Sequence, residues 1–287
     1  MKRLILLVAV AGCNGKPPAP QPVAGGTTAP AAASTAPTAK ASPAGPSDAV
    51  AAADFLTAVR DRKATVEQFT TAFKKRVAPP ELASDQAAGY SDFAARIFVS
   101  NLAPLVGTDG VATAPAGPDA LIVSTSPGTA PDGPRRTLAK LVRGPNGAWQ
   151  ADWLQVTNVA PALPLTGAAA AVHFPAVAFA GTVLAEQPPQ QVLLAADLLT
   201  PDARKKLAPP GDPAETALGY SPGRLRIRLS HFRGTSTGAT ITPATDMGPT
   251  ATVTGTLTAP GAAARPFTLK LTKGPAEGYL VDEFEAN

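Results

Sequence analysis

An internal repeat is the feature that most constrains how this chain folds. When the 287-residue sequence is shifted against itself by 130 positions without a gap, residues 70–154 match residues 200–284 at 20 of 85 positions. The matches form short clusters, which a general excess of Ala and Pro does not readily produce. We therefore expect a duplicated domain, with one copy over residues 48–159 and the other over residues 160–287.

The clusters place particular side chains in equivalent positions of the two copies. The basic and proline-containing block at 74–80 aligns with 204–210, and the tripeptide Gly-Tyr-Ser at 89–91 aligns with 219–221. Near the end of each copy an aromatic residue precedes an aspartate by three positions: Trp149 and Asp152 in the first copy, Tyr279 and Asp282 in the second.

Each copy is predicted to contain helices first and strands second, which is an α+β fold. Ser47 is a candidate N-cap for a first helix, whose apolar residues follow helical spacing: Ala52, Phe55, Leu56 and Val59. Thr65 and Gln68 form a capping box for a second helix, which we expect to carry Val66, Phe69, Phe73 and Val77 on one face up to Pro79-Pro80.

The second copy repeats these signals. Thr200-Pro201 is a cap followed by proline at the first helical position. Ser91 and Ser221 each open a further helix. The alternation Leu225-x-Ile227-x-Leu229 also fits a strand, but the shared cap favours a helix.

Strand-like runs follow the helices in both copies. Gly144-Pro145-Asn146-Gly147 and Gly274-Pro275 are turn signals, so the last two strands of each copy are predicted to form a hairpin. The runs cover residues 120–124, 137–143, 148–156, 251–258, 267–273 and 279–285.

This order of elements, with its aromatic final strand ending in Trp/Tyr-x-x-Asp, resembles the nuclear transport factor 2-like superfamily. The resemblance implies a curved antiparallel sheet that wraps around helices and encloses a pocket. The superfamily has no diagnostic sequence motif, and it contains small-molecule isomerases and dehydratases as well as non-catalytic domains. The resemblance therefore implies a fold and leaves the function open.

The N-terminus has the layout of an export signal. Met1-Lys2-Arg3 is positive, Leu4 to Val10 is an apolar run too short to cross a bilayer, and Val10-Ala11-Gly12-Cys13 resembles the lipobox of bacterial lipoproteins. The resemblance implies that residues 1–12 are removed and that Cys13 carries acyl chains. We therefore expect a lipoprotein of the cell envelope, held on a membrane and facing the periplasm or the exterior.

Residues 13–47 are predicted to form a disordered tether. Of the 34 residues from 14 to 47, 29 are Ala, Pro, Gly, Thr or Ser, and none is aromatic or acidic. Such a segment has little to bury, and its prolines favour extended conformations.

Charge and composition exclude several functional classes. Residues 48–159 hold 11 basic and 11 acidic residues and residues 160–287 hold 10 of each, so the net charge of +4 comes from Lys2, Arg3, Lys16 and Lys40. The field expected of a nucleic-acid-binding domain is therefore missing from the folded part. Two histidines and one cysteine argue against a Cys/His zinc site and exclude a disulfide within the chain, and we expect no metal or cofactor.

The candidate catalytic residues are few. His173 has no counterpart in the first copy and His231 aligns with Asn101, so we expect both histidines to be structural or exposed. The pairs Tyr90 with Asp152 and Tyr220 with Asp282 are weak candidates, because a hydroxyl and a carboxylate in an apolar cone can polarise a carbonyl and move a proton.

The two aspartates have a structural interpretation as well. The alternation of Asp282 with Leu280 and Phe284 suggests an apolar face. The simpler interpretation is that Gly-Tyr-Ser packs and caps a helix while each aspartate pairs with an arginine such as Arg96 or Arg226.

Basic residues recur in two settings. The triplets at 74–76 and 204–206 fall in the last turn of a predicted helix, where cations complement the helix dipole. Four arginines of the second copy have an alternative role as a basic face for anionic lipid headgroups or an acidic partner: Arg224, Arg226, Arg228 and Arg233.

Together these features predict a lipid-anchored binding or scaffolding module, whose partner is an envelope protein or a small apolar ligand. The alternative is a pocket enzyme of the isomerase or dehydratase type that uses the Tyr/Asp pairs.

Overall fold

The computed structural model describes residues 46–80, 82–128, 135–161, 165, 167, 169–184, 189–244, 247–274 and 278–286. The predicted signal peptide, the lipobox and nearly all of the predicted tether lie outside the described residues. The described part mixes helices with largely antiparallel sheets, which confirms the α+β prediction.

Eight α-helices are present in the described residues. They are α1 (Pro46–Arg60), α2 (Thr71–Val77), α3 (Asp92–Leu102), α4 (Ala170–Leu184), α5 (Ala195–Leu198), α6 (Pro201–Leu207), α7 (Pro213–Leu218) and α8 (Pro222–Arg233). Short 3-10 helices cover Val66–Gln68, Ala83–Asp85, Ala103–Leu105 and Pro189–Leu194.

Nine strands form two sheets. They are β1 (Ala112–Pro115), β2 (Ala120–Ser124), β3 (Arg136–Arg143), β4 (Trp149–Thr157), β5 (Val159–Pro161), β6 (Gly238–Ile241), β7 (Thr250–Thr258), β8 (Arg265–Lys273) and β9 (Tyr279–Ala286). The first sheet has the order β1-β2-β3-β4 and the second has the order β5-β6-β7-β8-β9. All pairings are antiparallel except that of β5 with β6.

The chain passes from the first sheet into the second through a single residue. Asn158 separates β4 from β5, and β5 pairs with β6 at the edge of the second sheet. The side-chain amide of Asn158 donates to the carbonyl of Thr237, just before β6. All described residues belong to one compact unit.

The predicted first helix is present, and its apolar face is buried. Ala52, Phe55, Leu56 and Val59 are each at most 5% exposed. The helix begins at Pro46, one residue before the predicted cap Ser47, so Ser47 lies inside it.

The predicted second helix is interrupted. The capping box of Thr65 and Gln68 forms, but on a 3-10 turn that ends at Phe69 in an extended conformation. The helix α2 then begins anew, with Thr70 as its N-cap. Phe69 forms a parallel bridge to Ala151 of β4, and this tertiary pairing overrides the helical pattern at Phe69 and Thr70.

The remaining caps form as predicted. The hydroxyls of Ser91 and Ser221 accept from the backbone N–H of Ala94 and Arg224, and the hydroxyl of Thr200 accepts from Ala203. Residues 225–229 lie within α8, which confirms the helix and excludes the strand interpretation.

The helix α4 was not predicted. Fourteen of its 15 residues are buried, because it packs between β4 of the first sheet and α8, β6 and β9 of the second half. A helix that is apolar on every side has no amphipathic period. The sequence therefore gives only a weak indication that this segment is a helix and not a strand.

Candidate functional site

The aspartates at 152 and 282 both lie at β-bulges. On β4 the register places Ala151 opposite Leu141 and Trp153 opposite Lys140, which leaves Asp152 as the extra residue. On β9 the register skips Asp282 in the same way, between Val281 and Glu283. A bulge re-aims the side chain of the extra residue. The alternation that placed Asp282 on one face with Leu280 and Phe284 is therefore wrong.

Each bulged aspartate accepts a hydrogen bond from the threonine that caps a helix. The hydroxyl of Thr70 donates to Oδ1 of Asp152 at 3.0 Å, and it accepts from the N–H of Phe73 at 3.0 Å. The hydroxyl of Thr200 donates to Oδ1 of Asp282 at 2.8 Å and accepts from Ala203 at 3.1 Å. We call this arrangement the Thr–Asp clamp; it ties the start of α2 or α6 to the bulge.

Backbone contacts around the two clamps also recur at an offset of 130. The N–H of Thr70 donates to the carbonyl of Ala151 at 3.0 Å, and that of Thr200 donates to Val281 at 2.9 Å. The N–H groups of Ser91 and Ser221 each donate at 2.8 Å to the carbonyl of an alanine C-cap, Ala78 of α2 and Ala208 of α6 respectively. The aligned positions thus occupy the same local geometry.

The arginine partners expected for the aspartates are wrong. Arg76, and not Arg96, pairs with Asp152: its NH2 group lies 3.1 Å from Oδ1, and its NH1 group donates to the carbonyl of Asp152 at 2.5 Å. Arg96 pairs with Asp92 on its own helix at 2.9 Å. Asp282 forms no ion pair with any described residue, Arg226 included, and is held by its threonine.

The tyrosines do not join the aspartates. Among the described residues, no hydrogen bond links Tyr90 to Asp152 or Tyr220 to Asp282. The hydroxyl of Tyr90 accepts from Nζ of the buried Lys74 at 3.1 Å, and this ammonium lies 4.5 Å from the ring centroid. In the second half Arg204 lies over the Tyr220 ring at 5.6 Å. The two halves therefore share a stacked cation and tyrosine.

The basic triplets do lie in the last turns of α2 and α6, as predicted. Their side chains make tertiary contacts as well, because Lys74 and Arg204 stack on tyrosines and Arg76 binds Asp152. The role of the triplets is therefore not confined to interaction with the helix dipole.

Arg76 also connects the two halves. Its Nε forms a close ion pair with Oδ2 of Asp197 on α5, in addition to the pairing with Asp152 on β4. The Arg76 side chain is only 18% exposed. The Arg76–Asp197 pair lies on the wall of two cavities, since both residues line each of them.

The first of these, the inter-sheet cavity, has a volume of about 310 Å³. Its walls come from the first sheet, from α4 and α5, and from the ends of β8 and β9. Its apolar lining includes Ile122, Trp153, Phe174, Pro175, Leu198 and Leu280. The charged groups on its wall, Arg76, Lys140 and Asp197, balance once Asp152 is counted, which lies 3.9 Å from Lys140.

The second, the helical cavity, has a volume of about 300 Å³. It lies among the ends of α2, α5 and α7 and one side of α8. Its lining residues are Lys75, Arg76, Pro79, Val192, Ala196, Asp197, Leu218, Tyr220, Pro222, Leu225, Arg226 and Leu229. Burial, and secondly the charge of Asp197, raise the pKa of Tyr220 against the opposing effect of Arg204, so its hydroxyl stays protonated at neutral pH.

The two histidines lie as predicted, one in a buried structural position and the other exposed. His173 is buried on α4, and its Nε2 accepts from the N–H of Ala244 at 3.0 Å. Burial lowers the pKa of His173. His231 is exposed near the end of α8.

Sequence reasoning missed the ion pair of Arg76 and Asp197, which lies on the wall of both cavities. Arg76 was identified only as part of a basic triplet, and Asp197 was not identified. Their pairing joins segments 121 positions apart, and no local sequence pattern predicts such a contact.

Within the described residues, no cluster of three or more His, Cys, Asp or Glu side chains could hold a metal ion. None of the helices described is both long and apolar enough to cross a membrane.

No protein-family model matches the chain, and no curated protein matches it either.

Proposed function

We propose that this chain is a lipid-anchored protein of the cell envelope whose folded part is a duplicated domain. The folded part acts as a non-catalytic module that binds a small apolar ligand in the inter-sheet cavity. Each part of this proposal has separate support and a separate test.

The lipobox-like sequence ending at Cys13 supports the anchor. Acyl chains on one cysteine give stable membrane attachment, which a single myristoyl chain does not. Labelling cells with radioactive palmitate tests it: the wild-type chain should carry the label and partition into detergent, whereas Cys13→Ser should not. A wild-type chain found wholly in the aqueous phase would contradict the anchor.

The recurrence of contacts at an offset of 130 supports duplication of one domain, and the order of helices before strands in each half is the basis for proposing a nuclear transport factor 2-like fold for it. The Thr–Asp clamp, the bulge, the serine cap and the stacked tyrosine occur once in each half. Four different kinds of contact with one spacing favour common descent of the halves over coincidence.

The inter-sheet cavity carries the proposal of ligand binding. Its volume is at the lower end of the range for small-molecule sites, and aromatic and aliphatic side chains dominate its lining. Its charged groups are already engaged with one another through Arg76, Asp152 and Asp197. A ligand in this cavity therefore meets apolar surface and no free acid–base pair, which favours binding over catalysis.

The neutral dye N-phenyl-1-naphthylamine is a suitable probe, because its fluorescence rises in an apolar environment. The protein for the assay is the chain from residue 13 onward with Cys13→Ser, which includes every described residue. We expect saturable binding, with energy transfer from Trp153, whose side chain lines the cavity.

Two variants block the cavity from different walls. Ala171→Trp on α4 and Ala116→Trp after β1 should each weaken dye binding about tenfold by filling the space. Ala87→Trp, at an exposed site away from the cavity, is the control for an added tryptophan. If neither blocking variant changes dye binding while both keep the wild-type melting temperature, the proposed site is wrong.

A further inference from the structure

The helical cavity differs from the inter-sheet cavity in its charge. Three cations line it, Lys75, Arg76 and Arg226, against the single carboxylate of Asp197. Arg76 already pairs with Asp197. Lys75 and Arg226 form no ion pair with any residue that the structure describes, so the wall carries two uncompensated positive charges.

The remaining surface of the helical cavity is mainly apolar. Val192, Leu225 and Leu229 line it, and Leu218 at the end of α7 is 59% exposed. The free energy falls when a ligand covers exposed apolar surface beside a recess. The cavity therefore combines an apolar recess with two free cations.

The position of Lys75 is set by its surroundings. Gly89 has a φ of +72°, and a Cβ built on it would lie 2.7 Å from Cε of Lys75. The aliphatic part of the lysine thus lies against the backbone of Gly89.

The two halves differ in whether the arginine at the position of Arg226 has an ion-pair partner. Its counterpart in the first half, Arg96, is neutralised by Asp92 one turn earlier, with 2.9 Å between Nε and Oδ2. The position of Asp92 is occupied by Pro222 in α8, so Arg226 has lost this partner. Of the two helices, only α8 therefore offers the arginine at this position to an external anion.

We propose that the helical cavity binds a single-chain anionic amphiphile of the fatty-acid class. The carboxylate lies between Arg226 and Lys75, where charge-assisted hydrogen bonds are strong, and the Tyr220 hydroxyl is a further donor on the same wall. The alkyl chain packs against Val192, Leu218, Leu225 and Leu229. This site is separate from the one under Proposed function and does not depend on it.

Calorimetric titration with decanoate tests the site, on the same Cys13→Ser chain. We expect one equivalent of decanoate to bind, and 1-decanol, which has the same chain without the charge, to bind at least about tenfold more weakly. Arg226→Gln should weaken decanoate binding about tenfold and leave decanol binding unchanged. Arg228→Gln, an exposed arginine on the same helix that does not line this cavity, should change neither.

Three results would overturn the proposal: no binding of decanoate, equal binding of decanoate and decanol, or wild-type decanoate affinity in Arg226→Gln. The cavity-filling variant Ala171→Trp separates the two sites. If Ala171→Trp abolishes decanoate binding and Arg226→Gln does not, the amphiphile occupies the inter-sheet cavity instead. If the wild-type protein binds decanoate but not the dye, the proposal for the inter-sheet cavity is wrong and the proposal for the helical cavity stands.

Discussion

The hydroxyl of Thr70 donates to Oδ1 of Asp152 at 3.0 Å across 82 positions of sequence, and Thr200 and Asp282 repeat this contact at 2.8 Å. In each case a helix N-cap and a β-bulge depend on one another, because the same hydroxyl that caps the helix holds the bulged carboxylate. Thr70 and Thr200 are therefore structural positions of each half.

Substitution of the two aspartates should therefore lower stability. We expect Asp152→Asn to reduce the free energy of unfolding by about 1–3 kcal/mol. The loss for Asp282→Asn should lie at the lower end of this range, because Asp282 lacks an ion pair like that of Asp152 with Arg76. Urea unfolding measures both. Asp92→Asn removes an exposed ion pair within a helix and is the control, with a cost below about 0.5 kcal/mol. A larger loss for Asp282→Asn than for Asp152→Asn would contradict this account.

The two tyrosines should differ in the same kind of experiment. Tyr90→Phe removes the acceptor of the buried Lys74 ammonium, so we expect a loss of about 1–3 kcal/mol. The Tyr220 hydroxyl forms no hydrogen bond with a described residue, and Tyr220→Phe should cost less than about 0.5 kcal/mol. Thermal unfolding of the two variants compares these costs directly, and equal losses would contradict the predicted difference between the tyrosines.

Stability should depend on pH through His173. Its pKa in the folded protein is below the ordinary value of 6.5, so the folded state binds fewer protons than the unfolded state near that pH. The contribution of the neutral imidazole is fully present above about pH 6.5 and is lost as the pH falls from there through the folded pKa.

We expect the melting temperature to fall between about pH 7 and pH 5, and this slope to be reduced in His173→Gln, whose amide oxygen can still accept from Ala244. His231→Gln, at an exposed site, should retain the wild-type slope. An unchanged slope in His173→Gln would assign the pH dependence to other groups.

Two glycines in helices should respond in opposite directions to alanine. A Cβ at Gly181 of α4 would overlap the side chains of Gln155 and Thr157 on β4, so Gly181→Ala should destabilise the protein by about 1–3 kcal/mol. Gly223 of α8 faces open space, and Gly223→Ala should stabilise the protein by up to about 1 kcal/mol. If both substitutions stabilise, α4 does not pack on β4 as closely as the structure shows.

Three of the helix caps and the strands could be predicted because they depend on local sequence. Thr200, Ser91 and Ser221 act through the first turn of their own helix, and the six predicted strands are present with ends shifted by at most two residues. The bulges at Asp152 and Asp282 could not be predicted, because a single extra residue changes the face of a side chain without changing the composition of the strand.

The strand β6 would be an edge of the second sheet without β5, with its outer N–H and C=O groups unpaired. Residues 159–161 cover that edge, and they follow directly from the last strand of the first sheet. An uncovered edge is a template for pairing with other chains and hence for aggregation. Strand β5, which joins the two halves, thus protects the second half from self-association, and a cut after residue 161 that leaves β5 with the first half would remove that protection.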